Sequence, residues 1–301
     1  MTPLQRYIAE EIALDHADGL LNRREALRRL GLLGFGVPAA AALLAACATE
    51  SKDQPATAQP PSAAPPSTPP GSGKALPTTP ITFAGPDNRE LRGAWAAAAQ
   101  PRGGVLVIHE NKGLTDHIRS VTGRFAGAGY SALAVDLLSA KGGTEAFGDP
   151  AQATAELSRT PQDQFIGDLR AGLDELGRRV PGKQLGATGF CFGGGLVWLL
   201  LASGPSALAA ATPFYGPFPD HGDLTATKAA VLGIYAAADA RVDATRPAAE
   251  SALARAGAPH EIWVAPQADH AFFNDTGPRY APAAADEAWR RVLDWYGTYL
   301  G

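Results

Sequence analysis

The stretch that most constrains this chain runs from Leu185 to Leu201. Leu185 to Thr188 is short, small and apolar, the signature of a buried strand. Gly189 to Gly195 then reads as a glycine-rich turn, and Leu196-Val197-Trp198-Leu199-Leu200-Leu201 as a buried helix. Inside it lies Gly189-x-Cys191-x-Gly193, the spacing of a nucleophile elbow with cysteine in the place of serine. A nucleophile on so tight a strand-to-helix bend sits in a strained backbone, so the residues two before and two after it must be small. The following helix aims its N-terminus at the side chain and favours thiolate over thiol. Taken alone, the motif also fits a buried cysteine in a glycine-rich turn.

The rest of the globular region alternates strands with helices. Ile81–Phe83 and Leu91–Ala97 read as two strands joined through Gly85-Pro86-Asp87-Asn88. Gly104–Ile108, Ser131–Val135, Ala209–Tyr215, Val231–Tyr235 and Glu261–Val264 are further strands. Helical spacing marks Ile118-Val121-Phe125, ending at Gly127 or Gly129, and Phe165-Leu169-Leu173-Leu176. An alanine-rich helix from Arg246 to Ala256 closes at Gly257, and Ala285 to Tyr299 forms a terminal helix. Such alternation predicts an α/β domain, a mostly parallel doubly wound sheet with helices on both faces. No internal repeat at a fixed period is found.

A cysteine nucleophile needs a base, and the base an orienting acid, in the chain order nucleophile, acid, histidine. Asp239 follows the strand ending at Tyr235, and His270 follows the strand ending at Val264. Around these residues the region from about Ile81 to Leu300 resembles the dienelactone hydrolase (carboxymethylenebutenolidase) family of the α/β-hydrolase superfamily. Four segments carry the resemblance: Val107-Ile108-His109-Glu110-Asn111-Lys112-Gly113-Leu114 with His117-Ile118; Gly129 to Leu137; Gly189-Phe190-Cys191-Phe192-Gly193-Gly194; and the Asp239 and His270 loops.

The resemblance implies a hydrolase of lactones or carboxylic esters with a thioester acyl-enzyme, needing no metal or cofactor. Cys191 is then the nucleophile, His270 the base and later the acid, and Asp239 the group that orients it. It also implies that Glu110 helps to form the thiolate. The backbone N–H groups of Asn111 and Phe192 are candidates for the oxyanion hole. His117, Tyr215 and Phe272 are candidate pocket residues; His109 reads as a structural group. Three positions depart from the family: Ala236 and Ala271 stand where glycine is frequent, and Asn274 stands where an arginine holds the substrate carboxylate. Lys141 to Ser158 likewise contains no arginine. A ligand-binding protein that keeps the fold, or a thioesterase or peptidase-like relative, is the alternative.

The N-terminal region differs in composition. Arg23-Arg24, Arg28 and Arg29 precede an uncharged run from Leu30 to Ala46, ending Leu44-Ala45-Ala46-Cys47. Residues 1–46 therefore read as a twin-arginine-like signal peptide with a lipobox, Cys47 being the lipidated residue. Seventeen residues with Pro38 and several glycines are marginal for spanning a bilayer, so an uncleaved anchor is the second reading. Residues 47–79, rich in proline, alanine, serine and threonine, read as a flexible linker, and 80–301 as the catalytic domain. The expected location is exported, periplasmic or at the cell surface, tethered to a membrane. With Cys47 lipidated, Cys191 is the one remaining cysteine, so no intrachain disulfide forms. The formal net charge of −4 argues against nucleic-acid binding by bulk charge, and oligomeric state is not legible.

Overall fold

The computed structural model describes residues 2–50 and 68–301, the side chains of 47–50 excepted. The side chain of Cys47 and linker residues 51–67 therefore lie outside the described residues. The chain divides into two compact units, Met1–Pro66 with Glu145–Thr160, and Ser67–Thr144 with Pro161–Gly301.

The first unit is helical: α1 (Pro3–Ala17), α2 (Arg23–Leu32), α3 (Val37–Glu50) and, from the later segment, α5 (Pro150–Arg159). Local chemistry sets the helix starts. Thr2 and Gln5 form a reciprocal capping box on α1, and the Asn22 side chain accepts from the Glu25 N–H on α2. Gly34, at φ +95°, lies between α2 and α3, so the uncharged run from Leu30 to Ala46 is divided between two helices. No helix among the described residues is long and apolar enough to cross a membrane.

Asp149 caps α5 through the Ala151 N–H and takes an ion pair from Arg28 at 2.7 Å. The Arg159 guanidinium donates to the Leu32 carbonyl. Glu25 is held at a pKa of about 2 by hydrogen bonds from Arg28 and Arg29. Nothing in the sequence marks α5, because its small residues, Ala151, Ala153 and Ala155, give no apolar stripe of helical period.

The second unit is an eight-stranded sheet: β1 (Thr79–Ala84), β2 (Glu90–Ala96), β3 (Gly103–Ile108), β4 (Tyr130–Asp136), β5 (Leu185–Phe190), β6 (Leu208–Phe214), β7 (Ala230–Ala236) and β8 (His260–Ala265). Their order is β1-β2-β4-β3-β5-β6-β7-β8. The hairpin β1–β2 and the pair β2–β4 are antiparallel, and every other pairing is parallel. Every residue of β3, β4, β5 and β7 is buried, as unbroken apolar runs require when both faces are covered.

Two helix pairs provide that cover. Phe125 of α4 (Asp116–Gly127) meets Trp289 and Tyr296 of α10 (Pro282–Tyr299) at 4.8 and 5.9 Å between ring centres. Phe165 of α6 (Gln162–Arg179) meets Phe192 of α7 (Phe192–Ala202) at 5.4 Å. A short α8 (Ala240–Asp243) and α9 (Arg246–Ala256) connect β7 to β8. This is the α/β-hydrolase fold, and β3, β5, β7 and β8 all end on the same side of the sheet.

One local expectation is corrected. No glycine turn runs on to Gly195: β5 continues to Phe190, α7 starts at Phe192, and Gly193 to Gly195 belong to its first turn. Cys191 alone makes the bend, at φ 56° and ψ −119°. Tertiary packing explains the difference. A Cβ on Gly193 would lie 2.4 Å from the Ile108 carbonyl oxygen, and one on Gly194 2.3 Å from that of Phe214. The glycines let the helix seat against neighbouring strands; they do not unwind it.

Candidate active site

Each side chain of the site comes from the carboxyl end of a parallel strand. After β3 follow His109, Glu110 and Asn111, all buried. After β5 comes Cys191, 2% exposed and in no disulfide, its N–H bonded to the Phe214 carbonyl at 3.1 Å. As Cys191 caps α7, the amide of Phe192 is the first of the N–H groups that a helix leaves without an intrahelical acceptor.

Beyond β7, Ala237 and Ala238 bond to the carbonyls of Ala265 and Ala268, tying the acid loop to the histidine loop. Asp239 then starts α8. Its Oδ1 accepts from the Val242 N–H at 3.2 Å, and its Oδ2 meets His270 Nδ1 at 2.5 Å. The sulfur of Cys191 lies within 4.8 Å of a ring nitrogen of His270. With Nδ1 taken by Asp239, Nε2 is the nitrogen left to exchange a proton with the thiol.

Electrostatics follow from this placement. Burial works against the His270 imidazolium, but the Asp239 carboxylate and the Cys191 sulfur outweigh it and hold its pKa well above the ordinary value. Burial raises the pKa of Asp239, yet His270 and then Arg241 hold it below the usual aspartate range. The arrangement favours a His270 imidazolium paired with the Asp239 carboxylate.

Glu110 sits in the same region. Its Oε2 accepts from the Asn274 side-chain amide at 2.6 Å, and its buried Oε1 has no hydrogen-bond partner among the described residues. Asn274 is itself oriented, since its carbonyl oxygen accepts from the N–H and hydroxyl of Thr276 at 3.0 and 2.7 Å. The position where the resemblance led one to look for an arginine thus faces the glutamate with a neutral donor. Tyr215 lies close by, its ring 5.3 Å from His270 and 5.4 Å from Phe272. Burial first, then the charges of Glu110 and Cys191, push its phenol well above the ordinary pKa. Phe272 is wholly buried between Tyr215 and Trp263.

His117 makes a separate pairing. Its Nδ1 meets Asp275 Oδ1 at 2.6 Å, while Arg124, 1% exposed, donates to Asp275 Oδ2 at 2.8 Å. Burial raises the pKa of Asp275, but the His117 hydrogen bond and the Arg124 charge bring it down to about 2. The sequence does not disclose the roles of Arg124 and Asp275 or the hold of Asn274 on Glu110. Arg124 looks like an ordinary polar position on α4, and Asp275 lies 158 residues from His117. The remaining departures are structurally mild. Ala271 takes φ +61°, the left-handed region that glycine enters readily, whereas Ala236 is an ordinary strand residue.

Comparison with known proteins agrees with this arrangement. The sequence model of the dienelactone hydrolase family matches residues 91–300. A candidate carboxymethylenebutenolidase of Methylorubrum extorquens is 34% identical over 68% of this chain and 75% of its own length. One from Escherichia coli K12 is 33% identical over 65% of this chain and 77% of its own. The crystal structure of a candidate dienelactone hydrolase from Klebsiella pneumoniae superposes with a TM-score of 0.66 at 31% identity, covering 74% of this chain and all of that one. With an α/β-hydrolase sheet, a cysteine at its elbow and a match over most of its length, the chain belongs to the dienelactone hydrolase family and is a hydrolase.

Proposed function

We propose that this hydrolase opens lactones or cleaves carboxylic esters through a Cys191–His270–Asp239 triad and a thioester acyl-enzyme. The observation that carries the reading is the position of His270, bound to Asp239 through Nδ1 and beside the Cys191 sulfur. The thiolate attacks the acyl carbon, and the developing oxyanion settles on the backbone N–H groups of Asn111 and Phe192. As the C–O bond breaks, His270 gives its proton to the leaving alkoxide. In a lactone that alkoxide stays tethered to the acyl group. Water then loses a proton to His270 and attacks the thioester, and the thiolate departs. Glu110, whose Oε1 is short of a partner, assists thiolate formation.

Asn274 supports a preference among substrates. It offers no positive charge, and its amide is engaged by Glu110, so uncharged lactones and esters are favoured over those bearing a carboxylate. Tyr215 and Phe272 wall the acyl side, and His117 borders the site from α4. Residues 1–46 serve for export, with Cys47 lipidated and 47–79 as a tether to the membrane; the Leu44-Ala45-Ala46-Cys47 sequence supports this.

Hydrolysis of p-nitrophenyl acetate and of an uncharged lactone tests the mechanism. Cys191→Ala is expected to abolish turnover, and mass spectrometry of the wild type to trap an acyl group on Cys191. Turnover by Cys191→Ala at the wild-type rate would rule the triad out. For the tether, Cys47→Ser is expected to lose lipid labelling, and unchanged processing and membrane association would contradict it.

A further inference from the structure

His109 is wholly buried, one residue before Glu110, and both its ring nitrogens are in use. The Leu137 N–H donates to Nε2 at 3.1 Å, so Nε2 carries a lone pair and the proton resides on Nδ1. Nδ1 in turn faces the carbonyl oxygen of Glu110 at 2.6 Å and donates to it. Burial pushes the His109 pKa down, so the ring keeps this neutral form.

The carbonyl of Glu110 belongs to the same peptide plane as the N–H of Asn111. No peptide bond among the described residues is cis, so the two point in opposite directions. Whatever holds the carbonyl therefore aims the amide; the Gly113 N–H also donates to this oxygen, at 3.3 Å, and the His109 bond is the shorter of the two. The loop also lies against the elbow: a Cβ on Gly193 would reach the Ile108 and His109 carbonyl oxygens at 2.4 and 2.6 Å. His109 further stacks on Phe192, whose amide is the other proposed donor, at 6.3 Å between ring centres.

We infer that His109 is the positioning residue of the oxyanion hole, its Nδ1–H holding the Glu110–Asn111 peptide so that the Asn111 N–H faces the elbow. This rests on the proposed acyl-enzyme chemistry. Both His109 ring nitrogens are spent on backbone groups, so it acts through the peptide it holds. Through Leu137, the same ring joins the loop after β3 to the end of β4, so a displaced loop would have to break a second bond. Rotation of that one peptide would remove a donor from the oxyanion and present a carbonyl oxygen in its place.

Two substitutions separate the two ring nitrogens. In His109→Asn the side-chain amide falls near the place of Nδ1 and retains the donor. In His109→Gln the amide reaches the place of Nε2 and retains only the bond to Leu137. Acylation by p-nitrophenyl acetate is expected to fall about 100- to 1000-fold in His109→Gln, the usual effect of losing one oxyanion donor. It is expected to fall no more than about tenfold in His109→Asn. The rate of Cys191 alkylation by iodoacetamide, which builds no oxyanion, is expected to stay within about twofold in both. Thermal melts confirm that each variant is folded.

Equal acylation losses in the two variants, or an alkylation rate falling with acylation, would overturn the assignment. So would wild-type acylation by His109→Gln. Cys191→Ala in the same assay keeps the outcomes distinct. Turnover surviving in that variant refutes the thioester chemistry itself. A dead Cys191→Ala beside a fully active His109→Gln refutes only the role of His109.

Discussion

Gly193→Ala and Gly195→Ala make the same chemical change two residues apart in the first turn of α7, with opposite expected outcomes. A Cβ at 193 would sit 2.4 Å from the Ile108 carbonyl oxygen and 2.6 Å from that of His109. Real Cβ contacts essentially never fall below 3.0 Å, so the elbow and the end of β3 must part by at least 0.6 Å. Both neighbours are backbone, and no rotamer change can relieve the overlap. Overpacking of this kind costs about 1–3 kcal/mol. At about 2–4 °C per kcal/mol for a domain of this size, the melting temperature falls by about 2–12 °C. The shift separates the amide of Phe192 from the loop carrying Glu110 and Asn111, the two sides of the proposed oxyanion hole. Misplacement on this scale lowers turnover by roughly 10- to 100-fold.

At 195, by contrast, the new Cβ would first meet Pro217 at 3.4 Å, an ordinary contact. Alanine there is worth up to about 1 kcal/mol in helix propensity. Gly195→Ala should therefore melt at or slightly above the wild-type temperature and keep kcat within about twofold. Steady-state hydrolysis of p-nitrophenyl acetate and calorimetry read both variants. A Gly193→Ala protein with wild-type kcat and melting temperature, or a Gly195→Ala protein as impaired as Gly193→Ala, would refute the reasoning.

Three further outcomes are expected. Asp239→Asn removes the largest upward influence on His270, so the imidazolium is lost at lower pH than in the wild type. Stability from this pairing is present below the ordinary histidine pKa and lost as pH rises through the raised one. Alkylation of Cys191 at pH 7 should slow in the variant, its rising limb moving to higher pH, and kcat should drop by about 1000-fold or more because the preferred tautomer is lost. Ala271→Gly frees a residue at φ +61° and should raise stability by about 1 kcal/mol, read by denaturant melts, with activity retained. Asp275 has a lowered pKa, so its stabilisation is present above the ordinary aspartate value and lost as pH falls through about 2. The melting-temperature gap between wild type and Asp275→Asn should be open at pH 7 and close as pH approaches 2.

What was legible in the sequence was what local pattern dictates. Central strands such as Val105–Ile108 and Val231–Tyr235 read as unbroken apolar runs because both faces are covered. The order Cys191, Asp239, His270 could be read because each residue follows a recognisable strand, and the structure brings these three together. Contacts between distant residues were not legible. Nothing near Asp275 in the chain announces Arg124 or His117, which reach it from a helix more than 150 residues earlier. The start of α7 at Phe192 was masked by the poor helix propensity of three consecutive glycines, which close packing against β3 and β6 overrides. The sequence also showed that an arginine was missing at Asn274, but not that the asparagine grips Glu110.

Helix α5 interrupts the run from β4 to α6, yet it is tied to the N-terminal helical region: Asp149 to Arg28, and Arg159 to the Leu32 carbonyl. Severing the chain ahead of Cys47 would take away both partners together with α1 and α2. The cleavage proposed above would then alter conformation as well as covalent structure, and protease sensitivity across residues 145–160 would distinguish the uncut from the cut chain.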